Sequence, residues 1–295
     1  MRRPPKNNPD RKLESMNPRT KIPVSVIIMT KNEERVLAHT LQSVSEFDQV
    51  FVVDSLSEDR TCTIAKEMNA EVVQFTWNGQ YPKKKEWSLL ELSFRNDWVL
   101  YLDADELVTP SLAEELKLLM STGTQHAGFD VELDYYFLGT LLKHGHKVTK
   151  RVLLNRKAVT WPHIDDLGVT NMWEVEGHYQ PLIGGSVGRL VGRLEHNDRD
   201  PLYDYFARHN RYSDWEAHLL RNQDVAEDVN GVRSRRGRRY ANIPFKPVAF
   251  FAYSYFARRG ILDGRAGFDY AIAHAFYFWQ IKLKQRELSL RTENR

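Results

Sequence analysis

Three apolar runs of strand length each break off at polar or acidic residues, and helix-patterned segments lie between them. Val24-Ser25-Val26-Ile27-Ile28-Met29 ends in Thr30-Lys31-Asn32-Glu33. Val50-Phe51-Val52-Val53 ends in Asp54-Ser55, and Trp98-Val99-Leu100-Tyr101-Leu102 ends in Asp103-Ala104-Asp105. A shorter strand is expected over Glu71–Phe75. Between these runs, Val36, Leu37, Thr40, Leu41 and Val44 recur at helical spacing. Ser57 is expected to cap a second helix carrying Ile64 and Met68, and Trp87–Phe94 reads as a third. Thr109-Pro110 supplies the cap and first residue of a fourth, with Leu112, Leu116 and Leu119 on one face. Strands alternating with helices predict parallel βαβ units and an α/β sheet covered on both sides. Ligands of such sheets bind beyond the carboxyl ends of the strands. The three polar endings are therefore expected to meet along one edge.

The rest of the chain changes texture. Val131–Phe137 alternates, and the stretch from about Gly128 to His196, with its Gly, Pro and Trp, reads as strands and loops of the same domain. From Pro201 onwards the pattern is helical and rich in Tyr, Phe, Trp and Arg. The expected organisation is a disordered tail at 1–21, an α/β catalytic domain at 22–200 and a helical region at 201–295. The segment Met1–Lys21 has no apolar core, so it reads as neither a signal peptide nor an anchor.

Charge and cysteine content narrow the classes. A formal charge of +3 does not call for nucleic acid. The run Arg233-Ser234-Arg235-Arg236-Gly237-Arg238-Arg239 is either a solvated loop or a seat for phosphate or anionic lipid. Cys62 is the only cysteine, which excludes an intramolecular disulfide and fits a reducing compartment. The uncharged runs Pro247–Ala257 and Tyr270–Ile281 are shorter than the roughly 20 residues of a membrane span. Their Phe, Tyr and Trp, flanked by Lys246, Arg258, Arg259, Arg265, Lys282 and Lys284, suit a helix pair lying on a membrane surface. A hairpin packed on the sheet, or against a second copy in a homo-oligomer, is the other reading of the same pattern.

Two aspartates flanking one small residue at a strand end bring two carboxylates together, which is costly unless a cation sits between them. Their hard oxygens suit Mg²⁺ or Mn²⁺, with positions left for diphosphate oxygens. Asp103 and Asp105 are thus the expected metal ligands. Capping of the next helix is the simpler alternative.

The ordered motifs Val-Ile-Ile-Met-Thr-Lys-Asn-Glu-Glu, Val-Val-Asp-Ser-Leu-Ser-Glu-Asp-Arg-Thr and Trp-Val-Leu-Tyr-Leu-Asp-Ala-Asp-Glu resemble family-2 glycosyltransferases of the GT-A fold. The likeness is nearest to lipopolysaccharide-core and exopolysaccharide glucosyltransferases. It covers residues 22 to about 120, and returns in Asn210-Arg211-Tyr212-Ser213 and Arg259–Gly264. The resemblance implies a GT-A sheet with a C-terminal helical extension, and roles for particular residues. Thr30, Asn32, Glu33 and Asp54 fall where the family holds the nucleoside, although Ser55 replaces a second acid. Lys85 falls near the base, with Glu86 in place of the usual Asn. Asp103 takes the diphosphate side, and His196 stands where relatives have a histidine near the metal. Arg211, followed by Tyr212, is expected to clamp phosphate oxygens by its fork geometry.

An inverting enzyme also needs a carboxylate to accept the acceptor's proton. Glu176 is the first choice, Glu174 the second and Asp166 the third, with Trp173 as a sugar platform. The function expected is metal-dependent inverting transfer of a hexose from a nucleotide sugar, with UDP favoured, to a glycan or lipid-linked glycan in cell-surface polysaccharide synthesis. Its setting would be cytoplasmic, at the inner face of the cell membrane. A sugar nucleotidyltransferase and a non-catalytic nucleotide-binding scaffold of a polysaccharide-assembly complex are the alternatives. The first usually needs a Gly-rich loop that Thr30-Lys31-Asn32-Glu33 lacks, and intact Asp103 and Asp105 speak against the second.

Overall fold

The structure is a computed structural model that describes residues 21–164, 168–169, 172–176, 180–221 and 245–293. The expected tail, the arginine run at 233–239, and Asp166 lie outside the described residues. The expected strands form at the predicted places. β1 (Ile22–Thr30) lies between β2 (Phe47–Asp54) and β4 (Trp98–Asp103), and β3 (Glu71–Gln74) pairs outside β2, all parallel. Val24, Val26, Ile27, Ile28, Val52, Val53, Val99 and Leu100 are wholly buried, because helices cover both faces. Each such side chain contributes about 1.5–3 kcal/mol of burial. Helices α1 (Leu37–Ser43), α2 (Thr61–Glu67) and α3 (Lys84–Glu91) connect these strands. α4 (Pro110–Thr122) starts as expected, with Pro110 in its first turn and Thr109 accepting a hydrogen bond from Leu112 N. α2 departs from the reading: Arg60, not Ser57, occupies its N-cap position. Ser57 instead donates its N–H and Oγ–H to the Asp54 carboxylate, and its Oγ accepts the N–H of Asn32.

Beyond β4 the sheet becomes mixed. β5 (Glu106–Val108) follows β4 directly, and β6 (Gly128–Phe137) carries the hairpin strand β7 (Thr140–Leu141). β8 (Thr149–Asn155) runs antiparallel to both β4 and β6, so β6 is parallel to β4. β9 (Val159–Thr160) and β10 (Leu182–Ile183) form a separate two-stranded ribbon. β11 (Val187–Arg189) and β12 (Leu194–His196) pair in parallel with β6. Among the described residues the path of the main sheet reads β3-β2-β1-β4-β8-β6-β12-β5. β12 and β5 pair antiparallel, which curls the sheet back beside β4. The carboxyl ends of β1, β2, β4, β6 and β12 thus open on one edge, as the polar strand ends predicted.

The C-terminal segment is helical: α5 (Leu202–Arg221), α6 (Lys246–Phe251), a π-helical turn at Ala252–Ala257, a 3₁₀ turn at Gly260–Asp263, and α7 (Gly264–Glu293). It shares a core with the sheet, where Tyr205 of α5 and Tyr270 and Ala273 of α7 pack on Phe137 and Leu142. Asp263 accepts hydrogen bonds from the backbone N–H groups of Lys143 and His144, at 3.1 and 2.8 Å, fastening the β7 hairpin to the head of α7.

Candidate active site

The first two strand ends are tied to each other. Thr30 Oγ1 donates to Asp54 Oδ1 at 2.9 Å, and Ser57 donates to both Asp54 oxygens through N and Oγ. Asp54 is completely buried. Burial works to raise its pKa, but the bonds from Ser57 and Thr30 outweigh it and hold the carboxyl below its ordinary range. Asn32, at φ 58°, donates its N–H to Ser57 Oγ and accepts from Glu58 N. Asn32 and Asp54 therefore shape the rim of the site by locking two loops. The side chains reaching the open cleft are others.

That cleft has a volume of about 470 Å³. Lys84 sits in its floor, only 1% exposed, with Nζ donating to Thr30 O at 2.8 Å and Ser55 Oγ at 2.6 Å. Glu174 Oε1 lies 3.5 Å from the same ammonium and also accepts from Ser55 Oγ. Burial lowers the Lys84 pKa, and Glu174 only partly restores it. Lys85, the residue expected here, also lines the cleft, with its ammonium 5.4 Å from the Trp161 ring centre. The run Lys83-Lys84-Lys85 straddles the start of α3, and residue spacing does not say which ammonium turns inward.

Glu176 lines the cleft, but its carboxylate is engaged by backbone. Its two oxygens accept the N–H groups of Lys85 and Glu86, each at 2.8 Å, and the residue is 2% exposed. It thus satisfies open donors in the first turn of α3, where a carboxylate also suits the helix dipole. Burial raises its pKa against those two hydrogen bonds. Glu176 therefore holds α3, and of the three expected bases Glu174 is the described one whose carboxylate is not bound by backbone N–H groups. Glu86, in the place of the usual Asn, pairs with His163.

The third strand end is an ionic assembly. β8 runs antiparallel to β4 with Leu100 opposite Leu153, which carries Lys150 beside Asp103. Lys150 Nζ donates to Asp103 Oδ2 at 2.6 Å and to Glu106 Oε1 at 2.7 Å. Desolvation pushes the Asp103 pKa up, but Lys150 wins and holds it well below the carboxylate range. Asp105 is different. Burial, relieved in part by His196 and reinforced by Asp103, Glu106 and Asp198, raises it to about 6. β12 pairing sets His196 opposite both Glu106 and Tyr135. Its Nδ1 is buried without a hydrogen bond, 3.5 Å from Asp105 Oδ1, while Tyr135 stacks on the ring. An orphaned imidazole nitrogen beside an under-compensated carboxylate fits a divalent cation. Among the described residues no three such side chains already converge as a complete ligand set.

The wall opposite comes from α5. Arg208 pairs with Asp200 at 2.8 Å and with Asp198, whereas Arg211 is exposed and is not part of the cleft lining. Of the two, Arg208, one helical turn before the expected Arg211, is the one that lines the cleft. Glu33 completes the acidic side. Burial, then Asp105 and Asp200, raise it to about 8, with Arg208 opposing. Tyr135, Tyr205, Tyr212 and Trp173 supply aromatic lining.

Residues 25–167 match the family described as Glycosyl transferase family 2. An uncharacterized glycosyltransferase of Rickettsia typhi is 27% identical over 280 residues, covering 92% of this chain and 89% of the relative. A lipopolysaccharide core biosynthesis glycosyltransferase, LpsC of Rhizobium meliloti, is 27% identical over 124 residues, 40% of this chain and 45% of that protein. Among solved structures, the mannosyltransferase PcManGT of Pyrobaculum calidifontis, in complex with GDP-Man and Mn²⁺, gives a TM-score of 0.47 at 13% identity, covering 89% of this chain and 86% of that one. The mixed, mainly parallel sheet flanked by helices, with its polar strand ends on one edge, agrees with the GT-A fold that the sequence motifs imply. The family match and the names of its relatives indicate a glycosyltransferase, similar to those of family 2.

Proposed function

We propose that this glycosyltransferase carries out metal-dependent, inverting transfer of a hexose from a UDP-sugar to a glycan or lipid-linked glycan of the cell surface, working at the inner face of the cell membrane. The observation that carries the metal half is the pairing of Asp105 with the unpartnered Nδ1 of His196 at the cleft floor. Asp105 and His196 would hold Mn²⁺ or Mg²⁺, with Asp103 beside them on Lys150. When bound, the cation supplies charge neutralisation for the departing nucleoside diphosphate. LpsC, which this chain resembles over part of its length, is a lipopolysaccharide-core enzyme by name, and that supports the acceptor class.

The remaining roles belong to the chain's own residues. Thr30, Asn32 and Asp54 fix the loops at the nucleoside end, and Lys84 spans the floor between β1 and Ser55. Arg208, held by Asp198 and Asp200, faces the cleft with a planar fork suited to phosphate oxygens. Glu174 is the proposed base. Ser55 and Lys84 hold its Oε1, which fixes the carboxylate in the cleft.

Thermal shift with UDP-sugars, with and without Mn²⁺, tests this reading. The expected result is a metal-dependent stabilisation by one donor that Asp105→Ala abolishes, together with a fall in kcat of about 10²–10³. A donor shift that survives Asp105→Ala unchanged sinks the metal assignment.

A further inference from the structure

α7 has two apolar faces, and among the described residues only one of them is buried. Tyr270, Ala271, Ala273 and Ile281 are buried, Tyr270 and Ala273 of them in the core shared with Tyr205 of α5 and Phe137 of β6. On the opposite side, Phe268, Ile272, Phe276, Trp279, Leu283 and Leu290 recur at intervals of three, four and seven residues, which is a single helical face. All six are exposed, between 41% and 60%. A helix that is apolar on both sides normally lies inside a core. Here the stripe runs for about 33 Å along the surface, from the 22 steps between Phe268 and Leu290 at about 1.5 Å each.

The stripe continues into the turn before α7, where Phe256, Ile261 and Leu262 are 59%, 48% and 63% exposed. Cations border it. Arg265 and Arg286 lie on the same face, one turn from Phe268 and Leu290, and Arg258 and Arg259 stand exposed in the turn. Residues 245–291 hold eight Lys and Arg against three Asp and Glu, an excess larger than the +3 of the whole chain. This turn also lies on the active-site edge, since Asp263 and Ser254 hold the loop that extends β6 beyond that edge.

From the exposed stripe, its cationic border and its position we infer that this face of α7 and the preceding turn form a docking surface for an anionic lipid bilayer, lying in the interface with the donor cleft opening at the membrane. This deepens the proposed membrane setting, but rests on the surface itself and not on the metal or base assignments. Charge selects the occupant. A second copy of the chain would set one basic face against another, whereas anionic headgroups complement it. None of the described helices is long and apolar enough to cross a bilayer, so the surface is suited to lying on one.

Vesicle flotation of the full chain tests the proposal, using phosphatidylcholine alone and phosphatidylcholine with about one third phosphatidylglycerol. The expected result is binding to the anionic vesicles at least tenfold tighter than to the neutral ones. Salt near 1 M should reverse it, by cutting the screening length from roughly 10 Å to 3 Å. Ile272→Ser with Trp279→Ser, and separately Arg258→Gln with Arg265→Gln, should each weaken binding at least tenfold. These side chains are exposed, and an unchanged melting temperature confirms that both variants fold. Equal affinity for both vesicles overturns the proposal, as does no binding to either. A dimer in sedimentation velocity that Ile272→Ser with Trp279→Ser converts to monomer, without vesicle binding, assigns the stripe to a second copy instead.

Discussion

Glu174 and Glu176 stand two residues apart in an acid-rich segment, and their carboxylates have different partners. Glu176 accepts two backbone N–H groups of α3, so Glu176→Ala leaves those donors open in a buried place. Loss of such a cap costs about 1–2 kcal/mol, and urea denaturation should show a loss of that size. Glu174→Gln keeps the shape and the bond to Ser55 but cannot take up a proton. Its kcat should fall by about 10²–10⁴ with KM changed little. If Glu176→Gln loses the greater part of kcat while Glu174→Gln retains it, the assignment of the two residues is reversed. No spacing rule separates this pair, because the distinction is made by α3, some 90 residues earlier in the chain. The same limit explains Lys150. Its partner Asp103 was legible from the strand end, but the lysine arrives only through the antiparallel register of β8 on β4. Asp105 and His196 were readable as separate candidates, and only the pairing of β12 with β5 brings them together.

At the scale of elements, local pattern was sufficient wherever a segment is buried on both faces or carries its own cap. β1, β2, β4 and α4 lie within a few residues of their predicted bounds for that reason. The joint between the π-helical turn and α7 had no such signal. There the backbone closes so tightly that a Cβ on Gly267 would sit 2.0 Å from the carbonyl oxygen of Gly260, and one on Gly260 would sit 2.8 Å from Ser254 O. Two effects compete in Gly267→Ala. Helix propensity favours alanine by about 1 kcal/mol, but backbone at 2.0 Å cannot yield as a flexible side chain does. Overpacking of this kind costs about 1–3 kcal/mol or more. The overlap should win, with a net loss of stability in urea denaturation. A stabilised Gly267→Ala protein would mean that the turn relaxes freely, and that the β7 hairpin does not depend on it.

Across the whole molecule, the seam between the sheet and the C-terminal helices is built from buried rings with little charge compensation. His274 of α7 packs against Phe250, Tyr270 and His209, and its Nδ1 has no hydrogen-bond partner. Burial, with His209 and His146 adding repulsion, lowers its pKa to about 3. An imidazole near 6.5 when unfolded and near 3 when folded favours the neutral form in the folded state. Its effect on stability is therefore absent above pH 6.5, and becomes an increasing loss as pH falls from 6.5 towards 3. Other groups complicate the profile. Glu33, raised to about 8, and Asp105, raised to about 6, bind protons more tightly when folded, so they favour the fold as pH drops over part of the same range. Asp54, lowered, loses its contribution only in more acid solution. A difference measurement isolates the histidine. His274→Phe keeps a ring in the seam and removes the titration, so its stability relative to the wild-type chain should rise by about 2 kcal/mol between pH 6.5 and 5, at 1.4 kcal/mol per pH unit. Urea midpoints of both proteins at several pH values give this difference directly. A difference that stays constant over that range would show that His274 takes up its proton without opening the seam, and that the helices are not fastened to the sheet by neutral packing there.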